Sequence, residues 1–398
     1  MSIKDMVLEI FSEKELQHEF PIVKKYLYFA SASTGIIPEM SLRAQERFMD
    51  RYRDSDLFHD PETFEMMARL RKNIAGLIGA REGEIALMAN TSLGLNTIAA
   101  AFPWEDGDEI LIGDREFPAN SYPWSNQRPE AKPRGKSAGV IVKWLHMRGG
   151  RLSCDEIVNS VTPNTKALAI SAVQFSDGFR CDLSEIVRFC NNRNIFVFVD
   201  GIQAAGALEI DATETGFDAF AAGGQKHLLS PYGTGFLQVT PNLLNLLRPA
   251  FSGWLSHFVS PEDFLDLLKH DLPPAPDARR LEIGSMAYCA LWGMDSSVKM
   301  LLDIGIEKIE KHNIALTDYF CSEVEKVAGV EIVSDRNDKH KSHVVSIRVP
   351  RGRSVWERLA AEKIVVSFRE SCLRFAFHIF NTEEQIDRVT KILNRIIV

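Results

Sequence analysis

The sequence predicts an α/β protein built on a largely parallel sheet, and three observations carry that reading. Apolar runs of strand length alternate with amphipathic stretches of helix length up to about residue 250. Some runs, Ile195-Phe-Val-Phe-Val199 above all, are apolar throughout, as strands covered on both faces are. The chain has 398 residues, 45% hydrophobic and 25% charged, which is the composition of an ordinary globular protein of roughly two or three domains.

Taken in order, seven strands are expected near Ile85–Ala89, Glu109–Gly113, Gly139–Leu145, Ala167–Val173, Ile195–Val199, Asp218–Ala222 and Thr234–Val239. Amphipathic segments at Phe64–Ile78, Ser92–Phe102 and Leu183–Asn192 read as helices between them. Asp271-Leu-Pro-Pro-Ala-Pro-Asp277 carries three prolines in seven residues and predicts an extended connector. A long helical stretch follows, Met286–Asp303 and Ile306–Val327, then shorter strands at Val344–Val349, Ile364–Phe368 and Leu373–Phe377. Thr382-Glu-Glu-Gln385 has the spacing of a capping box and opens the last helix. The expected organisation is a large domain over residues 31–270 holding a mostly parallel seven-stranded sheet, and a smaller α+β C-terminal domain over 271–398. Residues 1–30 are expected to pack on the small domain.

A formal charge of -8 argues against a surface for nucleic acid, whose binders carry a basic excess. No stretch approaches the roughly 20 apolar residues that span a bilayer. Met1 to Glu19 is mixed and charged, with no apolar run ending in a cleavage site, so a cytoplasmic location is the expectation. The six cysteines, at 154, 181, 190, 289, 321 and 372, show no regular spacing, which suits neither a disulfide framework nor a metal site.

Three short segments, each near the carboxyl end of an expected strand, could converge at the edge where open α/β sheets bind ligands. The first is Asn90-Thr-Ser-Leu-Gly-Leu-Asn96, where Thr91 and Ser92 at a helix start make an anion site. Such a pair is more often a plain N-cap. The second is Val199-Asp-Gly-Ile-Gln203. An acid after so apolar a strand is costly to bury unless something positive meets it, and a protonated pyridine nitrogen would do so. Gln203 could then donate to a phenolic oxygen on the same ring. The third is Ala222-Gly-Gly-Gln-Lys-His-Leu-Leu-Ser-Pro-Tyr-Gly-Thr-Gly235, which sets Lys226 in a glycine-rich turn between apolar segments. Desolvation there lowers a lysine pKa enough for Schiff-base chemistry.

Together with Tyr28-Phe-Ala-Ser-Ala-Ser-Thr-Gly35 and Leu373-Arg-Phe-Ala-Phe-His-Ile-Phe-Asn381, these segments resemble the class V aminotransferase family of fold-type I enzymes that use pyridoxal 5′-phosphate (PLP). That family includes cysteine desulfurases, kynureninases and isopenicillin N epimerase-like proteins, and the resemblance covers nearly the whole chain. It implies that Thr91 and Ser92 hold the cofactor phosphate, Asp200 and Gln203 meet the pyridine nitrogen and phenolic oxygen, and Lys226 is the Schiff-base lysine. Glu282-Ile-Gly-Ser285 is similar to the segment whose hydroxyl reaches the neighbouring subunit's phosphate, which implies a homodimer with shared active sites. Arg374 matches the arginine that grips the substrate carboxylate, and Arg369 is a second candidate contact.

The departures from the family pattern bear on the reaction. Glu116-Phe-Pro-Ala-Asn120 puts Phe117 over the cofactor ring where desulfurases carry a proton-moving His; kynureninases are similar here, with a Phe-Pro pair. Gly253-Trp-Leu-Ser-His257 also resembles kynureninases and makes Trp254 a candidate for the phosphate site, against a plain core role. Gln225 stands where desulfurases have His and kynureninases Tyr, and Phe175 where desulfurases commonly have Asn. Only Glu370-Ser-Cys-Leu373 separates the two arginines, so Cys372 is expected to be a structural thiol rather than a persulfide-forming nucleophile. His227 reads as a loop or helix residue before it reads as a base. The expected activity is Cα deprotonation of a small amino acid by Lys226, of transaminase or kynureninase/epimerase-like lyase type. A cysteine desulfurase or C–S lyase is the alternative, and a non-catalytic binding protein of the same fold is the rival from another class. A nucleotide-binding reading lacks its glycine motifs.

Overall fold

The computed structural model describes residues 11–54, 61–127, 139–257, 268 and 271–397. Its strands are β1 (Leu27–Tyr28), β2 (Ile85–Met88), β3 (Glu109–Gly113), β4 (Ile141–Leu145), β5 (Thr165–Ser171), β6 (Phe196–Asp200), β7 (Ala219–Gly223), β8 (Gly235–Val239), β9 (Glu331–Ile332), β10 (Val344–Arg348), β11 (Ile364–Val365), β12 (Ser367–Arg369) and β13 (Cys372–Ala376). Strands β2 to β8 form the expected seven-stranded sheet, in the order β2-β8-β7-β6-β5-β3-β4. Within it β8 runs antiparallel to both its neighbours, and the remaining pairs are parallel.

Helices cover both faces, and the side chains divide by parity along each strand. Leu111, Leu168, Ile170, Val197, Val199 and Phe220 enter one apolar layer. Ile110, Ile112, Ala167, Ala169, Phe198 and Ala221 enter the other. Alanines dominate that second face where helix Thr91–Ala101 lies on it. A methyl group on Gly94 would come within 3.0 Å of Ala221 Cβ, so the close approach of this helix depends on glycine. The approach fixes the helix start at the carboxyl edge of the sheet.

A four-stranded antiparallel sheet, β12-β13-β10-β9, forms a second centre, packed on helices Ile306–Val324 and Glu383–Ile397 through Phe320, Val324, Phe375, Val389 and Leu393. β1 pairs in parallel with β11, which ties the start of the chain to this second unit. The expected strand at 364–368 is divided: Ile364–Val365 serves β1, and Ser367–Arg369 pairs with β13. Two-residue β9 carries too little pattern to be read from sequence. Residues 271–275 form neither helix nor strand and the chain bends at 276–277, so the connector at the prolines is irregular. Among the described residues no helix is long and apolar enough to cross a membrane.

Candidate active site

Thr91 follows β2, Asp200 ends β6, and Lys226 lies three residues beyond β7. These strands run in the same direction, so all three residues meet at one edge of the sheet. Asn90, rather than the hydroxyl pair, caps the helix, its side-chain oxygen accepting from Leu93 N at 2.8 Å. The N-cap reading of Thr91 and Ser92 is therefore corrected. Thr91 is buried with its Oγ1 unpartnered, and Ser92 is exposed.

Asp200 is 2% exposed; Oδ1 accepts from Ile202 N at 3.0 Å, and Oδ2 has no partner. Burial raises its pKa above the usual carboxylate range, against the pull of the Ile202 N–H and Lys226. Lys226 is shifted the other way. Burial lowers its pKa, Asp200 draws it back, and Arg374 and Arg369 press it down again. Its loop is clamped from outside: Gly35 N donates to the Gln225 carbonyl at 2.8 Å, and a Cβ on Gly35 would lie 1.8 Å from the Lys226 carbonyl oxygen. Lys226 Nζ stands 5.7 Å from the centroid of Phe117, and Phe175 meets Phe117 edge-on at 5.2 Å.

The two arginines differ. Arg374 on β13 is 3% exposed, bonds the Phe175 carbonyl and donates to Ser33 Oγ at 2.7 Å, and leaves Nε unpartnered. Burial lowers its pKa to about 10, with Arg369 adding to the effect. Arg369 is exposed, donating to the Phe368 carbonyl. Between them Glu370 and Ser371 both have positive φ, 46° and 63°, the pattern of a two-residue type I′ hairpin. That turn pins Cys372 in β13, where it is 5% exposed and burial raises its pKa.

Gln203 is buried, its Nε2 donating to the Ala32 carbonyl and its Oε1 bonded to His227 Nε2. Ser285 is exposed on the chain surface beside a cavity of about 820 Å³ lined by Met88, Leu93, Phe251 and Ile283. Its segment is anchored by Glu282, which takes a bidentate bond from buried Arg71 at 2.6 and 3.0 Å and another from Leu87 N at 2.8 Å. Trp254 is half-buried against the core and lies over this segment, 3.9 Å from where a Gly284 Cβ would be.

Sequence reasoning missed Glu116, Ser33 and Arg71. Glu116 is buried and accepts from Ser171 N and Oγ, Gln174 Nε2 and Asn120 Nδ2, holding the Phe117 turn against β5. Its place next to Phe117 was the available signal; Ser33 and Arg71 offer none locally.

The Aminotransferase class-V family model matches residues 27–389. The chain is 26% identical over 373 residues to "Uncharacterized aminotransferase YcbU" of Bacillus subtilis, covering 92% of this chain and 93% of that protein. It is 25% identical to a "Probable cysteine desulfurase" of Methanothermobacter thermautotrophicus, over 81% of this chain and 78% of the relative. Among solved structures it superposes on the cysteine desulfurase of Thermococcus onnurineus with a TM-score of 0.85 at 20% identity, covering 97% and 98% of the two chains. On the cystine C–S lyase C-DES, solved with its product cysteine persulfide, the TM-score is 0.83 at 22% identity, covering 94% and 99%.

The chain belongs to the aminotransferase class-V family. It is a PLP-dependent enzyme of fold-type I. The residues present fit that cofactor: Thr91 Oγ1 and Asp200 Oδ2 are buried and unpaired on the two residues expected from the resemblance to meet its phosphate and pyridine nitrogen, and Arg374 Nε is likewise unpaired on the residue expected to meet a substrate carboxylate.

Proposed function

We propose that Lys226 carries PLP and removes the Cα proton of a small α-amino acid, and that no cysteine of this chain forms a persulfide on the way. The observation that carries the reading is the trio of buried, unpaired atoms on Thr91, Asp200 and Arg374, since an unmade bond costs about 1–3 kcal/mol unless a ligand completes it. PLP, when bound, supplies a pyridinium ring that accepts the electron pair of the Cα–H bond. Asp200 Oδ2 keeps the ring nitrogen protonated. Arg374 orients the substrate carboxylate through its fork. The Lys226 amine, its pKa lowered by burial, is poised to accept the proton near neutral pH. Phe117 would offer the ring a phenyl face that moves no proton, and Phe175, edge-on to it at 5.2 Å, makes the neighbouring wall apolar. Gln225 and Trp254 border the lysine loop and the Ser285 segment as supports of the phosphate site.

Transamination or a lyase-type cleavage suits this arrangement, because Cys372 is fixed behind a tight turn. The second reading, desulfuration, is favoured by the placement of Cys372 on the same face of β13 as Arg374, two residues away. Exposed Ser285 beside an open cavity supports a homodimer in which this hydroxyl serves the partner's phosphate. Six free thiols suit a reducing, cytoplasmic setting.

The test is a visible spectrum of the PLP-loaded protein during titration with cysteine, kynurenine, alanine and aspartate, with products identified. The expected outcome is a band lost on borohydride reduction with the label on Lys226, and pyruvate, anthranilate or a pyridoxamine form as product. Sulfide release that disappears in Cys372→Ala would replace the proposal with the desulfurase reading. A protein that stays colourless with PLP would overturn both.

A further inference from the structure

His227 follows the cofactor lysine directly, is wholly buried, and has no part in the chemistry above. Its surroundings fix which ring nitrogen carries the hydrogen. Gln203 sets one end of its amide 2.9 Å from the Ala32 carbonyl oxygen and the other 2.9 Å from His227 Nε2. A carbonyl oxygen only accepts, so the end at Ala32 is the NH2 group. The end at His227 is then the amide oxygen, which also only accepts, and His227 Nε2 must be the donor.

His378 is fixed by the same kind of reasoning. His378 Nε2 donates to the His227 carbonyl at 3.0 Å while its Nδ1 accepts from Ile379 N at 2.9 Å, which fixes its tautomer too. His343 Nε2 lies 3.1 Å from His227 Nε2, with the two rings crossing at 84°, and as an acceptor it shares the single Nε2–H with the Gln203 oxygen. The charged or titratable groups facing His227 are His343, His378, Lys226 and Arg374, with no acid among them. Burial and these neighbours hold its pKa well below the usual histidine value, so the ring is a neutral donor.

We propose that His227 is a positioning residue that holds the Gln203 oxygen through Nε2–H, fixing the Gln203 amide so that the second hydrogen of its NH2 serves the phenolic oxygen of PLP. The proposal rests on the PLP reading above. Without the ring, the buried amide oxygen loses its donor and only the Ala32 carbonyl still orients the amide. Neither a base nor a passive core residue would depend on one donor atom in this way.

The test uses the full chain with variants His227→Leu, His227→Gln and Gln203→Leu. The readout in the loaded protein is the pH at which the visible band changes form. A donor neutralises part of the phenolic charge, so its loss raises that pH. The expected shift is upward by about one to two pH units in His227→Leu and in Gln203→Leu, the size of a lost hydrogen bond to a charged group. His227→Gln, which keeps a donor, should stay close to wild type, and the double variant should move no further than Gln203→Leu. A second readout needs neither cofactor nor a folded variant: 15N-histidine NMR of the cofactor-free protein should show His227 protonated at Nε2. A Gln203→Leu shift without a His227→Leu shift, or an Nδ1–H ring, overturns the proposal. Absence of any visible band in wild type overturns the PLP reading and the cofactor role of His227, while the NMR signal still decides the His227–Gln203 bond.

Discussion

At the amino end of the seven-stranded sheet, Glu109 accepts from Thr162 Oγ1 at 2.6 Å, Thr165 Oγ1 at 3.1 Å and Lys143 Nζ at 2.9 Å. At the carboxyl end Asp200 takes a single bond, from Ile202 N, and leaves Oδ2 alone. Both acids are buried, so both carry a desolvation penalty, and the outcome is opposite. Burial would raise the Glu109 pKa, but its three donors outweigh it and hold the carboxyl below its ordinary value. Asp200 lacks such donors, and burial raises it. A buried acid whose bonds are complete builds the fold, whereas one left half-bonded is strained in waiting for a ligand.

The largest effect should come at the carboxyl end, where Lys226→Ala is expected to cut turnover per folded molecule by at least about a thousandfold. Retained turnover would break the contrast between the two ends.

Exchanging the acids sharpens it. Asp200→Asn should lower turnover by about 10²–10³-fold. The same change should stabilise the cofactor-free protein by about 1–3 kcal/mol at pH 7 in denaturant titrations. The sign follows from a folded pKa above the unfolded one. The Asp200 contribution is present at pH below 3.8 and lost as pH rises through about 6, so the advantage of Asn should appear over that window and vanish below it. Glu109→Gln should do the reverse. It costs about 1–3 kcal/mol at pH 7, leaves turnover per folded molecule unchanged, and loses its effect as pH falls below the usual glutamate value of 4.5. Equal activity losses in the two variants would erase the distinction.

A smaller difference is expected between the arginines. Arg374→Lys should raise KM about 10–100-fold, because a point charge cannot reproduce the fork that bonds Ser33, Phe175 and a carboxylate together. Arg369→Lys, at an exposed turn, should change KM by about threefold or less. The smallest effect is Cys372→Ala, expected to keep turnover within about twofold, as assayed by product release with the preferred amino acid.

Much of this was legible in the chain because it is written locally. Buried parallel strands are continuous apolar runs, and the residues of the cofactor edge sit in short motifs at the ends of those runs. The hairpin at Glu370-Ser371 and the divided strand around Val366 were not legible, since two strands separated by one residue read as a single run. The parts played by Ser33 and Glu282 within their motifs, and by His343, escaped notice for a different reason. Each acquires its role from a partner more than a hundred positions away: Arg374, Arg71 and His227. No local pattern marks such a residue. The sequence placed Asp200 and Lys226 at one edge, but it could not say that Glu109 would be paired and Asp200 not.

The stretch from Leu27 to Gly35 pairs with β11 and bridges to the second sheet at Ala376, and it meets Arg374 at Ser33, Gln203 at Ala32 and the lysine loop at Gly35. In the order of synthesis this has a cost in time. The Tyr28 carbonyl waits for Asn381, 353 residues later, to be made before their bond can form. At roughly 5–20 residues per second, that is about 20–70 s during which the early segment lacks β11 and its last partners in the second unit. Contacts this distant in sequence also slow folding once the chain is complete. The cofactor edge should therefore be among the last parts of the molecule to mature, and a nascent chain halted before residue 374 should hold a formed sheet with an unfinished site.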